Sequence, residues 1–76
     1  MGRLLRLSGR DVRRIMERHG YACVRQKGSH MVMQRQRPEG GTQTVVVPDH
    51  DSLKTGTLHG IIDQSGLDRS LFEADT

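Results

Sequence analysis

Two short segments with helical periodicity stand near the two ends of this sequence, and the residues between them alternate as β-strands do. Each helical segment repeats the i, i+3, i+4, i+7 spacing of one stripe on an amphipathic helix. The two stripes are Val12, Ile15, Met16 and His19, and Leu58, Ile61, Ile62 and Ser65. Both stripes must be buried, and the simplest arrangement lays both helices on one face of a shared sheet.

Cap and turn residues set the boundaries of the predicted elements. Ser8 precedes the first stripe and Gly20 follows it, while Thr55 and Gly66 bound the second stripe in the same way. The resulting prediction is a helix over 9–19, a second helix capped by Thr55 and stopped by Gly66, strands over 21–26, 30–35 and 43–47, and turns over 27–29 and 38–41. Because the turns between the strands are short, the sheet should be an antiparallel meander.

The predicted fold class is α+β, with the order α-β-β-β-α and both helices on one face of the three-stranded antiparallel sheet. Side chains alternate between the two faces of a strand. Along the second strand, Met31 and Met33 therefore belong to the covered face, and His30, Val32 and Gln34 belong to the open face.

A chain of 76 residues allows a single small domain over 1–76. Residues 1–7 resemble a loose basic leader, and residues 73–76 a frayed tail. Leu67, Leu71 and Phe72 predict a last short turn that packs back on the core. With no Trp and one Phe, the core must be largely aliphatic.

The composition argues against several classes of protein. A single cysteine, Cys23, cannot form a disulfide within the chain, which suits the reducing cytoplasm. No apolar run approaches the roughly 18 residues that a membrane span needs. Cys23 and the four histidines lack metal-ligand spacing, and nucleotide-binding motifs are missing, so we expect no metal and no cofactor.

Charge is distributed unevenly along the chain. Residues 1–38 contain ten Lys and Arg against two Asp and Glu, whereas residues 39–76 contain two against seven. A basic half of this kind favours a polyanionic partner. The alternative is that these charges only form solvated helix and strand surfaces.

His30 is the histidine whose surroundings best suit chemistry. Lys27, Gly28 and Ser29 precede it directly, and Arg25 is close in sequence. Imidazole titrates near physiological pH and can take the proton of an RNA 2′-OH, while Lys27 or Arg25 neutralises the phosphate. Gly28 lets the backbone approach that phosphate. An exposed strand histidine without a catalytic role remains the alternative.

The other three histidines are weaker candidates. His19 completes the first helical stripe, so a structural role is expected there. His59 lies off the second stripe and is expected to be solvated. His50 lies in a polar loop after Pro48, from which it could reach a site but need not.

An ordered set of short motifs over about residues 8–67 resembles the HicA family of bacterial toxin–antitoxin systems. The matching segments are Ser8-Gly9-Arg10-Asp11-Val12, His19-Gly20-Tyr21, Arg25-Gln26-Lys27-Gly28-Ser29-His30, Val47-Pro48 with His50, Leu53-Lys54, Gly56-Thr57-Leu58, Ile61-Ile62 and Gln64-Ser65-Gly66-Leu67. The resemblance implies a fold like that of the double-stranded-RNA-binding domain. It also implies a cytoplasmic mRNA interferase that cuts RNA and stops translation, neutralised by a HicB antitoxin. The family's catalytic histidine matches His30, its neighbouring glycine matches Gly28, and Ser29 occupies its small-residue position.

Three hypotheses for function follow. The first is a metal-independent endoribonuclease with His30 as general acid or base, Gly28 and Ser29 shaping the turn, and Lys27 and Arg25 holding phosphate. Further RNA contacts are expected from basic side chains on or near the two helices, namely Arg10, Arg13, Arg14 and Lys54. The second is a non-catalytic module that binds double-stranded RNA. The third is an interaction protein whose open sheet face is covered by an acidic antitoxin.

Overall fold

The computed structural model describes Leu4 and residues 6–73. Its elements are helix α1 (Gly9–Glu17), strands β1 (Ala22–Lys27), β2 (His30–Gln36) and β3 (Thr42–Pro48), helix α2 (Thr55–Ser65) and a 3₁₀ turn (Arg69–Phe72). The strands form an antiparallel sheet in the order β1-β2-β3. The predicted α+β class and the α-β-β-β-α order are confirmed.

One face of the sheet is covered by both helices. Met31 lies opposite Val47 and Met33 lies opposite Val45, and all four side chains are buried. They share one apolar cluster with residues of α1 and α2, namely Val12, Met16, Leu58, Ile61 and Ile62. The strand alternation read from the sequence is therefore the one that the structure adopts.

The chain ends pack onto this cluster at several positions. Phe72, on the 3₁₀ turn, is completely buried, which confirms the predicted last turn. Leu7 is also buried, and its carbonyl accepts a hydrogen bond from the Leu53 N–H. Leu4 bridges to Glu73, so at these positions the expected leader and tail belong to the fold. The rest of the leader at 1–3 and 5, and the tail at 74–76, lie outside the described residues.

Helix α1 begins as predicted but ends two residues early. The Ser8 hydroxyl accepts a hydrogen bond from the Asp11 N–H, and the Ser8 N–H donates to the Asp11 carboxylate, which forms a capping box. The helix ends at Glu17 because the chain turns at Arg18 and Gly20, where φ is +93°. His19 is exposed beyond the helix, so its predicted place in the apolar stripe was wrong.

The last carbonyl groups of α2 are bound by side chains from the sheet. Tyr21 Oη donates to the Ser65 carbonyl at 2.7 Å, and Arg35 Nη2 donates to the same oxygen at 3.0 Å. Gln43 Nε2 donates to the Gln64 carbonyl at 2.6 Å. These bonds satisfy acceptors that a helix end leaves without partners, and they tie α2 to the sheet.

The start of α2 has no comparable side-chain cap. Lys54, and not Thr55, is its N-cap residue, and no side-chain hydrogen bond closes that end. At its other end Gly66 adopts a left-handed φ of +69°, as predicted. No helix among the described residues is both long and apolar enough to cross a bilayer.

Candidate active site

A two-residue hairpin loop, Gly28-Ser29, joins β1 to β2 and presents His30 at the edge of the open face. Gly28 has a φ of +59°, which fits the first loop position of a type II′ turn, where glycine is required. Lys27 was predicted in the turn, but it is the last residue of β1 and lies directly opposite His30. The cation and the imidazole therefore form a cross-strand pair.

A β-bulge decides which side chains of β1 share a face with His30. Cys23 lies opposite Met33 and Arg25 lies opposite Val32, so Val24 is an extra residue in β1. The extra residue changes the phase of the alternation within the strand. Cys23 thus packs partly against the core, while Arg25 falls on the open face with Lys27.

The open face around His30 is basic and partly apolar. His30 is exposed, and Val46, opposite Val32, has 45% of its surface exposed. Among the described residues, neither Arg25 nor Lys27 forms an ion pair with a carboxylate. Both cations are therefore available to an anion that approaches the imidazole.

The loop after β3 packs against the hairpin and holds it in position. The Asp49 N–H donates to the Ser29 carbonyl at 2.6 Å. Gln26 Nε2 donates to the Gly28 carbonyl and to Asp49 Oδ2, each at 3.1 Å. The two loop residues next to His30 are therefore held by Gln26 of β1 and by Asp49 of the loop after β3.

The beginning of α1 supports the same loop, a contact that sequence reasoning missed. The Gly9 N–H donates to the His50 carbonyl at 2.9 Å. A Cβ at Gly9 would lie 1.9 Å from the Pro48 carbonyl oxygen, so only glycine allows this approach. A glycine directly after the N-cap Ser8 is the signal that could have indicated this close backbone contact.

The arginines predicted on α1 are largely matched by carboxylates. Arg10 Nε lies 3.7 Å from Asp49 and its Nη2 lies 3.6 Å from Asp51. Arg14 lies 3.0 Å from Asp11, whose pKa is lowered chiefly by the hydrogen bond from the Ser8 N–H. The remaining predicted arginine of this helix, Arg13, is paired with its neighbour one turn on, Glu17.

The predicted site residues therefore fall into separate groups. The structure brings together Arg25, Lys27, Gly28, Ser29 and His30 at the hairpin. Arg10 reaches the supporting loop through Asp49, and Arg14 lies on the outer side of α1. Lys54 lies at the start of α2, where it lines a groove of about 410 Å³ with Arg6 and Leu58.

Within Leu4 and residues 6–73, no group of three or more His, Cys, Asp and Glu side chains could hold a metal ion. Cys23 is partly buried, and its thiol donates to the Arg25 carbonyl at 3.4 Å. His59 is exposed on α2, as predicted. The chemistry available at the hairpin is that of an imidazole, two cations and a glycine backbone.

Comparison with known families gives one match. The sequence model described as "HicA toxin of bacterial toxin-antitoxin" matches residues 9–67, which is more than half of the chain. The match spans α1, the sheet and α2, and it includes the hairpin with His30. No curated protein matches the chain significantly.

Proposed function

The chain belongs to the HicA toxin family of bacterial toxin–antitoxin systems, and we propose that it acts as an mRNA interferase, an endoribonuclease that cleaves RNA and thereby inhibits translation. A toxin of this kind acts in the cytoplasm, where its RNA substrate is. The family implies an antitoxin as partner, and we propose that this antitoxin is of the HicB type.

The observation that carries the proposal is the cross-strand pair of His30 with Lys27. His30 is exposed on the face that the helices leave open, and Arg25 lies on the same face, two residues before Lys27 in β1. An acid–base group must lie within hydrogen-bond reach of the proton that it transfers. An exposed imidazole beside two cations can come within that reach when a phosphodiester binds to the cations.

In the proposed reaction, His30 serves as general base or acid in the attack of the 2′-OH on the adjacent phosphorus. Lys27 and Arg25 stabilise the charge that accumulates on the phosphate oxygens in the transition state. Gly28, which carries no side chain, and Ser29 allow the RNA backbone to come close to the turn. Because the two cations can neutralise the phosphate, we propose that the enzyme needs no metal.

RNA outside the cleavage site would contact the basic residues on the helix side. Arg10 and Arg14 make surface ion pairs, which are worth about 1 kcal/mol or less each. A phosphate can therefore replace the carboxylate at these side chains. Lys54, at the start of α2, is the third candidate for such an outer contact.

The same open face offers a surface for the antitoxin. Val32 and Val46 provide apolar area between Arg25 and the outer edge of β3. An acidic partner seated there would cover His30 and neutralise both cations. Binding of the antitoxin would thus block RNA access and stabilise the small domain by mass action.

The proposal is tested by incubating labelled single-stranded RNA with the purified protein in the presence of EDTA. We expect fragments from the parental protein and from a His59→Ala variant, which removes an exposed histidine on α2. We expect none from His30→Ala at an unchanged melting temperature, because His30 is exposed. Cleavage by His30→Ala at the parental rate would contradict the assignment.

A different outcome would indicate the non-catalytic alternative. If the parental protein shifts double-stranded RNA in a salt-sensitive manner but yields no fragments, the chain is an RNA-binding module. The paired experiment in a bacterium is induction of the parental protein against His30→Ala. Growth arrest and mRNA decay with the parental protein alone would support the interferase.

A further inference from the structure

Transphosphorylation of RNA needs a second group besides His30, because one proton leaves the 2′-OH and another must reach the 5′-oxygen. We infer that His50 is this second acid–base group, and that His30 and His50 act on either side of the scissile phosphate. The inference rests on the proposed function and assigns a second catalytic residue to the same site.

The first step of the argument is strand register. His30 lies opposite Pro48 in the β2–β3 ladder. The hydrogen bond of 2.6 Å from the Asp49 N–H to the Ser29 carbonyl extends this register by one residue beyond β3. Position 50 therefore lies one residue beyond this pairing, at the hairpin end of the sheet.

The second step is the side of the sheet on which position 50 falls. Asp49 contacts Gln26, which lies opposite the covered Met31, and Arg10, which belongs to α1 on the covered face. Successive positions in an extended chain alternate between faces. Position 50 thus falls on the open side with His30, and His50 is exposed.

The third step is spacing. His30 and His50 are diagonal neighbours across two antiparallel strands, an arrangement that separates such residues by about 7–8 Å. Gly28, in the hairpin loop beside His30, has no side chain, and even a Cβ built there would meet no atom within 4 Å. The loop beside His30 therefore leaves room for a phosphate.

The position of His50 is also fixed by the backbone. Its carbonyl accepts the Gly9 N–H at 2.9 Å, so the start of α1 anchors the residue. Because this contact uses the main chain, replacing the imidazole leaves it in place. The two other histidines lie elsewhere, with His19 beyond the end of α1 and His59 on α2.

The reaction balances with these two groups. One imidazole takes the proton of the 2′-OH as the 2′-oxygen forms a bond to phosphorus. The bond from phosphorus to the 5′-oxygen breaks, and the other imidazole, in its protonated form, gives its proton to that oxygen. The products are a 2′,3′-cyclic phosphate and a 5′-OH, and no oxidant or co-reactant is consumed.

The test compares His30→Ala, His50→Ala and His50→Gln with the parental protein and with His59→Ala as the matched control. The substrate is a single-stranded RNA with one cleavage site mapped on the parental protein. It is made once with the normal 5′-oxygen at that site and once with a bridging 5′-sulfur. Sulfur leaves without a proton, so the sulfur substrate no longer needs the general acid.

On the oxygen substrate we expect both His50 variants to cleave at least about 100-fold more slowly than the parental protein, with His59→Ala unchanged. On the sulfur substrate, one of His30→Ala and His50→Ala should recover and the other should not, which identifies the acid and the base. Parental-rate cleavage by His50→Ala, or equal behaviour of both variants on sulfur RNA, would overturn the inference. If the parental protein itself cleaves neither RNA, the proposed function fails instead.

Discussion

Removing the two open-face cations should change the salt dependence of RNA binding more than removing two arginines of α1. The perturbations are the double variants Arg25→Gln/Lys27→Gln and Arg10→Gln/Arg14→Gln. Both are made in the His30→Ala background, so that bound RNA stays intact. All four side chains are exposed, so neither variant should disturb the core.

The expected magnitude follows from how each cation is paired. For single-stranded nucleic acid, each phosphate contact contributes about −0.7 to the slope of log K against log salt concentration. Among the described residues Arg25 and Lys27 have no carboxylate partner, so losing both should reduce the slope by about 1.4. Arg10 and Arg14 already form ion pairs with acidic side chains, so replacing both should reduce the slope by less than half as much as replacing Arg25 and Lys27.

The assay is fluorescence anisotropy of a labelled single-stranded RNA, titrated at several salt concentrations between about 50 and 200 mM. The reasoning is refuted if the Arg10/Arg14 variant reduces the slope as much as the Arg25/Lys27 variant. RNA would then bind across the helices, as expected of a module for duplex RNA. Equal slopes for all proteins would mean that none of these four cations contacts phosphate.

Three further predictions concern the scaffold. Gly9→Ala should lower the free energy of unfolding by about 1–3 kcal/mol, because the added Cβ meets the Pro48 backbone. Gly60→Ala, within α2, is the control and should not lower it. Urea denaturation compares the two variants with the parental protein. Tyr21→Phe should lower the free energy of unfolding by only about 1 kcal/mol, because Arg35 still donates a hydrogen bond to the Ser65 carbonyl. Burial raises the pKa of the Tyr21 hydroxyl in the folded protein, so the free energy of unfolding falls as pH rises through that pKa. In Tyr21→Phe this loss of stability at alkaline pH should be smaller, as measured by melting curves. The pKa of Asp11 is lower in the folded than in the unfolded protein. The stability that this shift provides is present above the unfolded-state pKa and is lost as pH falls through the folded-state pKa. Asp11→Asn should therefore lose less stability at acid pH than the parental protein.

Local patterns were enough to predict the elements and their order. The helical stripes, the alternation of Met31 and Met33 with His30, and the stop at Gly66 all depend on residues close in sequence. Such patterns act through backbone geometry that repeats every two or 3.6 residues. For the same reason the open position of His30 could be predicted from the sequence.

Features that depend on contacts between distant segments were not predictable. The bulge at Val24 is set by how β1 pairs with β2, and the alternation of β1 alone does not show it. The pairing of Arg10 with Asp49 joins residues far apart in the chain. His19 was misplaced because the periodicity continued past Glu17, where the chain turns toward the buried Tyr21.

The bulge in β1 has a consequence for how this strand tolerates changes in length. Before the bulge, Cys23 lies opposite Met33 on the covered face, and after it Arg25 lies opposite Val32 on the open face. Because the extra residue is accommodated in the bulge, loss of the codon for Val24 would leave a regular strand in which every other residue keeps its partner and its face. Loss of the codon for Gln26 would instead bring Arg25 opposite Met31 on the covered face, because a shift of one position exchanges the two faces. The number of residues between Arg25 and the hairpin thus keeps the cationic surface and the hydrophobic interior from trading places.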